Sequence, residues 1–392
     1  MEAAGSRKAY FSIVAFYFFI FMSNSVYSYF LPLYLSEVGG YGASQRGILL
    51  SITPFVAVFA QYLWGRAADR AGYKNNVLFL LLGCTAAATV LLSLNTAFLY
   101  LAAMLVLYAV FQTSVSPVSD AIITEIARNN GWEFGRLRMA GSIGFALMGL
   151  LAGRLLSNRI SLIFILYVTM VLLALLPALF IPKVKGYQKE KKRVSPLVLF
   201  QNKPLCGILA LSLLAQSTLS VYYSFFSNYF TETAGGSKAQ LGIAVFLASF
   251  CQIPFMLRAG RAIRRFGTMP LLVFATFVMA LRWVLTGLVH NPYGLIAVNC
   301  MHGMSFIVFQ LCITIYISEN VPAELRATGQ AVNAMITIGL SRIIGSMVGG
   351  FFIGLVGESP VFIACGIINA AAAFAILFLT FLKQAREKRS DA

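Results

Sequence analysis

Apolar stretches of about 20 residues recur along the whole chain, separated by short polar breaks. A bilayer core needs about 20 apolar helical residues to cross it, so each stretch reads as a spanning helix. Twelve are predicted. The first six cover Tyr10–Leu35, Gly47–Trp64, Asn76–Leu94, Ala97–Ile122, Leu137–Leu156 and Ser161–Ile181. The second six cover Leu205–Phe230, Leu241–Leu257, Pro270–Val289, Tyr293–Ser318, Ala331–Val356 and Pro360–Leu382. The first run follows Arg7 and Lys8, is too long for a signal-peptide core and lacks a small-residue cleavage site, so it reads as a span. Small residues at Ser142, Ala146, Gly149 and Gly153 share one face of the fifth run, a pattern for close helix approach.

The longest polar break lies at mid-chain. It carries Lys183, Lys185, Lys189, Lys191, Lys192, Arg193 and Lys203, with prolines at 182, 196 and 204. The expected organisation is a six-helix bundle at 1–182, a basic cytoplasmic linker at 183–204, a second bundle at 205–383 and a cytoplasmic tail at 384–392.

Composition agrees with a polytopic membrane protein. The 392 residues are 59% hydrophobic and 11% charged, against about 25% charged in soluble proteins, and the mean hydropathy is +0.81. The net charge of +17 does not point to nucleic acid, because the basic residues fall in alternate short loops. That is the positive-inside pattern, which places both termini in the cytoplasm and sets the excess charge against anionic lipid headgroups. The six cysteines lie in or beside apolar runs without a CxxC pair and read as small hydrophobes. No metal-ligand spacing, nucleotide loop or catalytic trio is present, so no metal, no cofactor and no enzyme are expected.

Gly65-Arg-Ala-Ala-Asp-Arg-Ala-Gly72 sits between runs two and three. Gly260-Arg-Ala-Ile-Arg-Arg-Phe-Gly267 sits between runs eight and nine, half a chain later, with five of eight positions identical. Two six-span halves of parallel symmetry follow. The first copy, Gly65-x-x-x-Asp69-Arg70-x-Gly72-x-Lys74, resembles the signature loop of the major facilitator superfamily. That resemblance implies an all-α integral membrane protein, with twelve transmembrane helices in two pseudo-symmetric bundles that rock about a central cavity. It also implies a gating role for Gly65, Asp69, Arg70, Gly72, Gly260 and Gly267. Arg264 stands in the place of Asp69 in the second copy, so the second loop lacks that carboxylate. Plain positive-inside topology is the alternative reading of Arg66, Arg70 and Lys74, and for Arg66 it weighs equally.

Apart from Arg154, which is counted with the non-cytoplasmic side at the end of the fifth run, few charged groups lie inside the runs: Asp120, Arg138, Arg282, His302 and Arg342. Each costs roughly 2.5–3.5 kcal/mol at the bilayer centre on insertion scales, so each needs a reason. Asp120 and Arg138 stand on consecutive helices joined by a short turn and are placed to pair. Arg138 then either grips a substrate oxygen or snorkels to the headgroups. His302 is either a titratable cavity group or a packing residue. Asn24 and Gln310 are further candidates for substrate contact. No helix interior of the second half holds an Asp or Glu.

Glu133-Phe-Gly-Arg-x-Arg138-Met-x-Gly141 resembles the opening of the fifth helix in the lactose-permease group of oligosaccharide–proton symporters. Met301-His302 resembles the stretch around that group's helix-ten histidine. The resemblance implies substrate contact at Arg138, oriented by Asp120, with Arg282 and His302 on the other side and Arg342 as cavity charge. It also implies proton coupling through Asp120 or His302. Ser305 replaces the group's proton-carrying Glu, and Ser220–Tyr223 lacks its helix-seven acids, so that relay is not reproduced. Asp120 with Phe-Gly-Arg-x-Arg and His302-Gly-x-Ser-Phe is closer to the neighbouring phenylpropionic acid and nucleoside–proton symporters.

The expectation is a monomeric secondary transporter of the cytoplasmic membrane, moving a small organic solute by proton symport. The solute classes left open are a sugar or oligosaccharide, an aromatic carboxylate and a nucleoside, the last by symport or uniport. A non-transporting receptor on the same scaffold and a drug antiporter are the competing readings. Three interior arginines against one acid favour a carboxylate; the permease resemblance favours a glycoside.

Overall fold

A computed structural model describes residues 2–186, 203–322 and 325–390. Most of the linker at 183–204 and the last two residues of the tail lie outside the described residues. Within a bilayer every backbone N–H and C=O must be satisfied by the segment itself, which leaves helices for runs of this composition. The described chain is helical throughout, without a strand.

Twelve rods follow one another: α1 (Glu2–Glu37), α2 (Ala43–Arg70), α3 (Lys74–Leu92), α4 (Phe98–Asn129), α5 (Phe134–Leu155) and α6 (Ile160–Ala178). After the linker come α7 (Pro204–Thr233), α8 (Lys238–Phe266), α9 (Thr268–Leu288), α10 (Pro292–Asn320), α11 (Thr328–Val356) and α12 (Glu358–Ser390). Eleven are long and apolar enough to cross a membrane. The twelfth, α5, has 22 residues and carries Arg136, Arg138 and Arg154. At 1.5 Å per residue it still spans about 33 Å.

Several bounds differ from the apolar runs. α4 continues two turns past Ile122, because Ile123, Ile126 and Ala127 are buried against the first-half core. Glu125 therefore lies inside the helix rather than past its end. α12 continues beyond Leu382 to Ser390. Wide π turns close α7 at Tyr229–Thr233 and interrupt α10 at Gly303–Ile307 and α11 at Met335–Leu340. Such turns recur at functional sites, and the one in α10 follows directly on His302.

Within the first half α1 packs on α5 and α6, and α4 packs on α2 and α3; within the second, α9 packs on α12 and α7 on α11. The halves meet along α2 with α11, α5 with α8 and α1 with α7. Glycine permits the close crossings. A Cβ on Gly47 would lie 2.4 Å from the Ser346 carbonyl oxygen, and one on Gly153 would lie 2.5 Å from that of Lys238.

Polar contacts between the halves gather at the end of the molecule opposite the termini. Lys238 Nζ lies 2.7 Å from a Glu37 carboxylate oxygen, and Arg46 Nη1 lies 3.6 Å from Glu232. Glu37 and Glu232 occupy equivalent places, offset by the same number of residues as Gly65 and Gly260. Each acid ends the first helix of its half and meets a base at the start of the second helix of the other half. Ser36 also donates to Glu232 at 2.7 Å, and Ser44 donates to the Gly350 carbonyl at 3.3 Å. This end of the molecule is closed.

Candidate functional site

Tyr17, Phe21 and Asn24 are spaced by four and three residues and so share one face of α1. Gly141 of α5 lies against the Phe21 ring: a Cβ there would sit 2.8 Å from it. The resulting approach of α1 to α5 brings Tyr17 and Arg138 to the same carboxylate. Tyr17 donates its hydroxyl to Asp120 Oδ1 at 2.7 Å, and Arg138 Nη1 meets Oδ2 at 2.5 Å. The Arg138 guanidinium also stands 5.6 Å from the Phe21 ring centre. The pair is reachable, with 43% of the Arg138 side chain and 26% of Asp120 exposed. Asp120 and Phe134 line a groove of about 450 Å³ that continues along Thr124 and Arg128 toward the termini end. Asn24 stands nearby and accepts from Gln112 at 3.1 Å.

The second half gathers a different group. Arg282 of α9 is wholly buried. Its Nη1 meets His302 Nδ1 at 2.8 Å, and its Nη2 donates to Asn299 Oδ1 at 2.9 Å. Tyr222 of α7 donates to the same Asn299 oxygen at 2.8 Å. The guanidinium stands 4.4 Å from the Tyr222 ring centre and 4.6 Å from that of Trp283, at cation–π distance. His302 stacks on Phe306 at 5.2 Å. Tyr223 is where three elements converge. Arg342, which is exposed, stands 5.0 Å from its ring centre; His302 and Tyr29 of α1 are each 6.3 Å away. Gln310 accepts from Gln216 at 3.4 Å.

The structure thus brings Asp120 to Arg138, and Arg282 to His302, and joins Arg342 to the second group only through Tyr223. Arg282 lies behind His302 and Tyr222 rather than at the surface of the site. Sequence reasoning missed Tyr17 and Asn299. Asn299 stands one helical turn before His302, which was the available signal. Tyr17 stands among phenylalanines and was hidden by them. Among the described residues no group of three His, Cys, Asp or Glu side chains is placed to hold a metal ion.

The signature loop is tied to its neighbours. Lys74, 8% exposed, reaches Asp69 at 3.6 Å and Glu125 at 3.8 Å. Asn75 donates to the Pro182 carbonyl at 3.2 Å and accepts from the Val184 N–H at 2.9 Å, which fixes the start of the linker. Arg70 and Gly72 lie where α2 ends and α3 begins, and Gly65 lies within α2 with open space beside it. In the second copy Gly267, at φ +84°, makes the turn from α8 to α9, a conformation that favours glycine. Gly260 lies inside α8, near the Arg264 side chain.

Two helical bundles that meet face to face, with charged groups held between spanning helices and a closed end opposite the termini, define a transporter of the major facilitator type. The MFS_1 like family model matches residues 10–364, and the chain belongs to that family. It is a transporter and not an enzyme. It is 27% identical to the maltose permease of Geobacillus stearothermophilus over 89% of each chain. It is 30% identical to the multidrug resistance protein MdtG of Citrobacter koseri over 68% of this chain and 69% of that one. The crystal structure of a D323A variant of the nucleoside transporter NupG superposes with a TM-score of 0.86, covering 94% of this chain and 99% of that one at 17% identity. That last likeness speaks to fold alone. The names of these three proteins point to three kinds of solute.

Proposed function

We propose that the protein carries a neutral polyhydroxylated solute, a sugar or short oligosaccharide, across the cytoplasmic membrane by proton symport. It acts as a monomer with both termini inside. The observation that carries this reading is the open Asp120–Arg138–Tyr17 group. A guanidinium has five N–H donors and a carboxylate about four acceptor sites. The pair uses only part of each, and its exposed remainder offers donors and acceptors side by side. Adjacent hydroxyls of a sugar match that alternation, and the Phe21 ring supplies an apolar face for the sugar's C–H surface. An organic carboxylate meets an arginine already neutralised by Asp120, while Arg282 is sealed away. Arg342 is then the one interior arginine open to an anion, which weakens the case for a carboxylate substrate. Among the described residues Asp120 is the carboxylate paired with an interior arginine, whereas Glu125 of the same helix faces Lys74. A proton on Asp120 dissolves the ion pair and frees Arg138 for substrate, which is the coupling step. The basic loops at the termini end support the orientation.

A nucleoside is the second reading, since its ribose carries the same vicinal diol. Counterflow in proteoliposomes with maltose, uridine and phenylpropionate separates the classes. Maltose counterflow with alkalinisation outside on solute addition is expected. Counterflow with phenylpropionate alone overturns the sugar reading, and counterflow with uridine alone selects the nucleoside. Asp120→Asn is expected to abolish proton movement while leaving exchange; full proton-coupled uptake by that variant removes Asp120 from the mechanism.

A further inference from the structure

Arg282 is a buried cation whose acceptors are all neutral. They are a histidine nitrogen, an amide oxygen and two aromatic faces. The carboxylates described in the second half, Glu232, Glu319 and Glu358, sit at helix ends. A guanidinium has donors and no acceptor. At 2.8 Å from Arg282 Nη1, the His302 Nδ1 must therefore be the accepting, unprotonated nitrogen. A ring that accepts at Nδ1 keeps its proton on Nε2 and is neutral. The brace is itself over-determined. Asn299 Oδ1 receives both Arg282 and Tyr222, and the Asn299 amide nitrogen is left without a partner. Turning that amide would face donor against donor. His302 Nε2 makes no hydrogen bond to the described residues. The ring is 5% exposed beside Tyr223, next to Tyr29 of α1 and Arg342 of α11.

We propose that Arg282, braced by Asn299 and Tyr222, is a positioning residue that holds His302 as a neutral Nε2–H donor to an acceptor oxygen of the substrate. This inference rests on the transport reading above for the identity of the ligand, but the state of the ring does not. It removes His302 from proton carriage, leaving Asp120 as the interior group that exchanges a proton. The groups around the ring are Arg282 from α9, Tyr222 and Tyr223 from α7, Cys251 of α8 beside Gly303, Arg342 beyond Tyr223, and Tyr29. An imidazolium there would meet two cations and no acid. The substrate requirement follows: a hydroxyl, ether or carbonyl oxygen on the side facing the second half.

The chain has two histidines, so His290→Gln leaves His302 as the sole imidazole signal. Nitrogen NMR of the isotope-labelled full chain in lipid nanodiscs reads its tautomer directly. A neutral Nε2–H signature that is constant between about pH 5 and pH 8, where a free imidazole titrates, is expected. Arg282→Met frees Nδ1 from its donor and is expected to let an Nδ1–H signature appear beside the Nε2–H one. An imidazolium signature or an Nδ1–H tautomer in the parent chain overturns the proposal, whether or not the arginine variant folds. The transport measurement is separate. His302→Gln places an amide N–H near the Nε2 position and is expected to keep KM within about threefold, while His302→Ala raises KM about tenfold, the worth of one hydrogen bond, with kcat little changed. Equal KM for both variants removes the donor role. If no solute is carried, the transport reading fails while the NMR result still decides the tautomer.

Discussion

The two halves hold interior charge in opposite ways. In the first, Asp120 and Arg138 neutralise one another at the edge of an open groove, with 26% and 43% of their side chains exposed. In the second, Arg282 is sealed at 0% exposure and is balanced by neutral acceptors and aromatic faces. An open pair can trade one partner for water, a proton or a hydroxyl at small cost. A sealed guanidinium cannot, because its own donors and His302 Nδ1 would be left buried and unsatisfied. The same expensive charge therefore serves change in one half and fixity in the other. Near-symmetry of the backbone does not carry symmetry of mechanism with it.

The comparison breaks most visibly at the two arginines. Arg138→Met removes the proposed substrate donor, and the loss of charge-assisted hydrogen bonds worth about 2–3 kcal/mol is expected to lower uptake about 30- to 150-fold. Its thermal midpoint is expected to stay near that of the parent. Arg282→Met orphans His302 Nδ1 and leaves Asn299 Oδ1 to Tyr222 alone, and is expected to cost about 1–3 kcal/mol of stability, seen as a fall in Tm in detergent. If Arg138→Met lowers Tm as much as Arg282→Met, the first half is not the adaptable one.

The closed end supplies the next test. Adding Cβ at Gly47 and Gly153 drives a methyl into the backbone of the opposing half, within 2.4 and 2.5 Å of carbonyl oxygens. Overpacking of this kind costs about 1–3 kcal/mol, paid only while that end is shut. Gly47→Ala and Gly153→Ala are each expected to shift the population toward opening there. A cysteine in place of Val245, which packs on Gly149, should then react about five- to a hundredfold faster with an impermeant maleimide. Glu37→Gln and Glu232→Gln act at the same place with less force. Those carboxylates are 36% and 42% exposed, but their partners Lys238 and Arg46 are only 14% and 5% exposed, so each pair is worth about 1–2 kcal/mol, above the range of exposed pairs. Unchanged labelling in all four variants removes this end from the gating cycle.

Much of the frame was legible in the pattern of residues, because lipid admits few solutions for an apolar run of about 20 residues. The Asp120–Arg138 contact was legible too, since two opposite charges flank one short turn. The Arg282–His302 contact was not. The rule that a buried cation seeks a carboxylate finds none in the apolar runs of that half, and the partners used instead, Asn299 and Tyr222, look like ordinary helix residues. The end of α4 was placed two turns early because Glu125 and Arg128 interrupt its apolar pattern, while buried Ile123 and Ile126 continue the helix regardless. The crossed pairs at the closed end join residues as far apart as Glu37 and Lys238, separated by 201 positions, and no local pattern announces them.

The two copies of the glycine–arginine loop allow the smallest and sharpest change. In the first, Lys74 reaches both Asp69 and Glu125 from a nearly buried position. In the second, Arg264 stands in the place of Asp69 and Met269 in that of Lys74; Thr268 donates to Glu319 there at 3.4 Å. Lys74→Met is expected to cost about 1 kcal/mol, since both contacts are long and Asp69 is mostly exposed. Arg264→Asp alone is expected to change Tm by no more than an exposed substitution does, within about 0.5 kcal/mol, because no lysine waits for the new carboxylate. Met269→Lys alone brings an ammonium beside Glu319 but close to Arg264 and Arg265, so it too gains little. Only the double substitution rebuilds the first loop's arrangement, with one lysine between two acids. The expected coupling in a double-mutant cycle is about 0.5–1 kcal/mol. A coupling of that size shows that the loops differ by two side chains on a common backbone. Strict additivity shows that the backbones themselves have diverged, and that the asymmetry between the halves extends from the interior charges to the hinge.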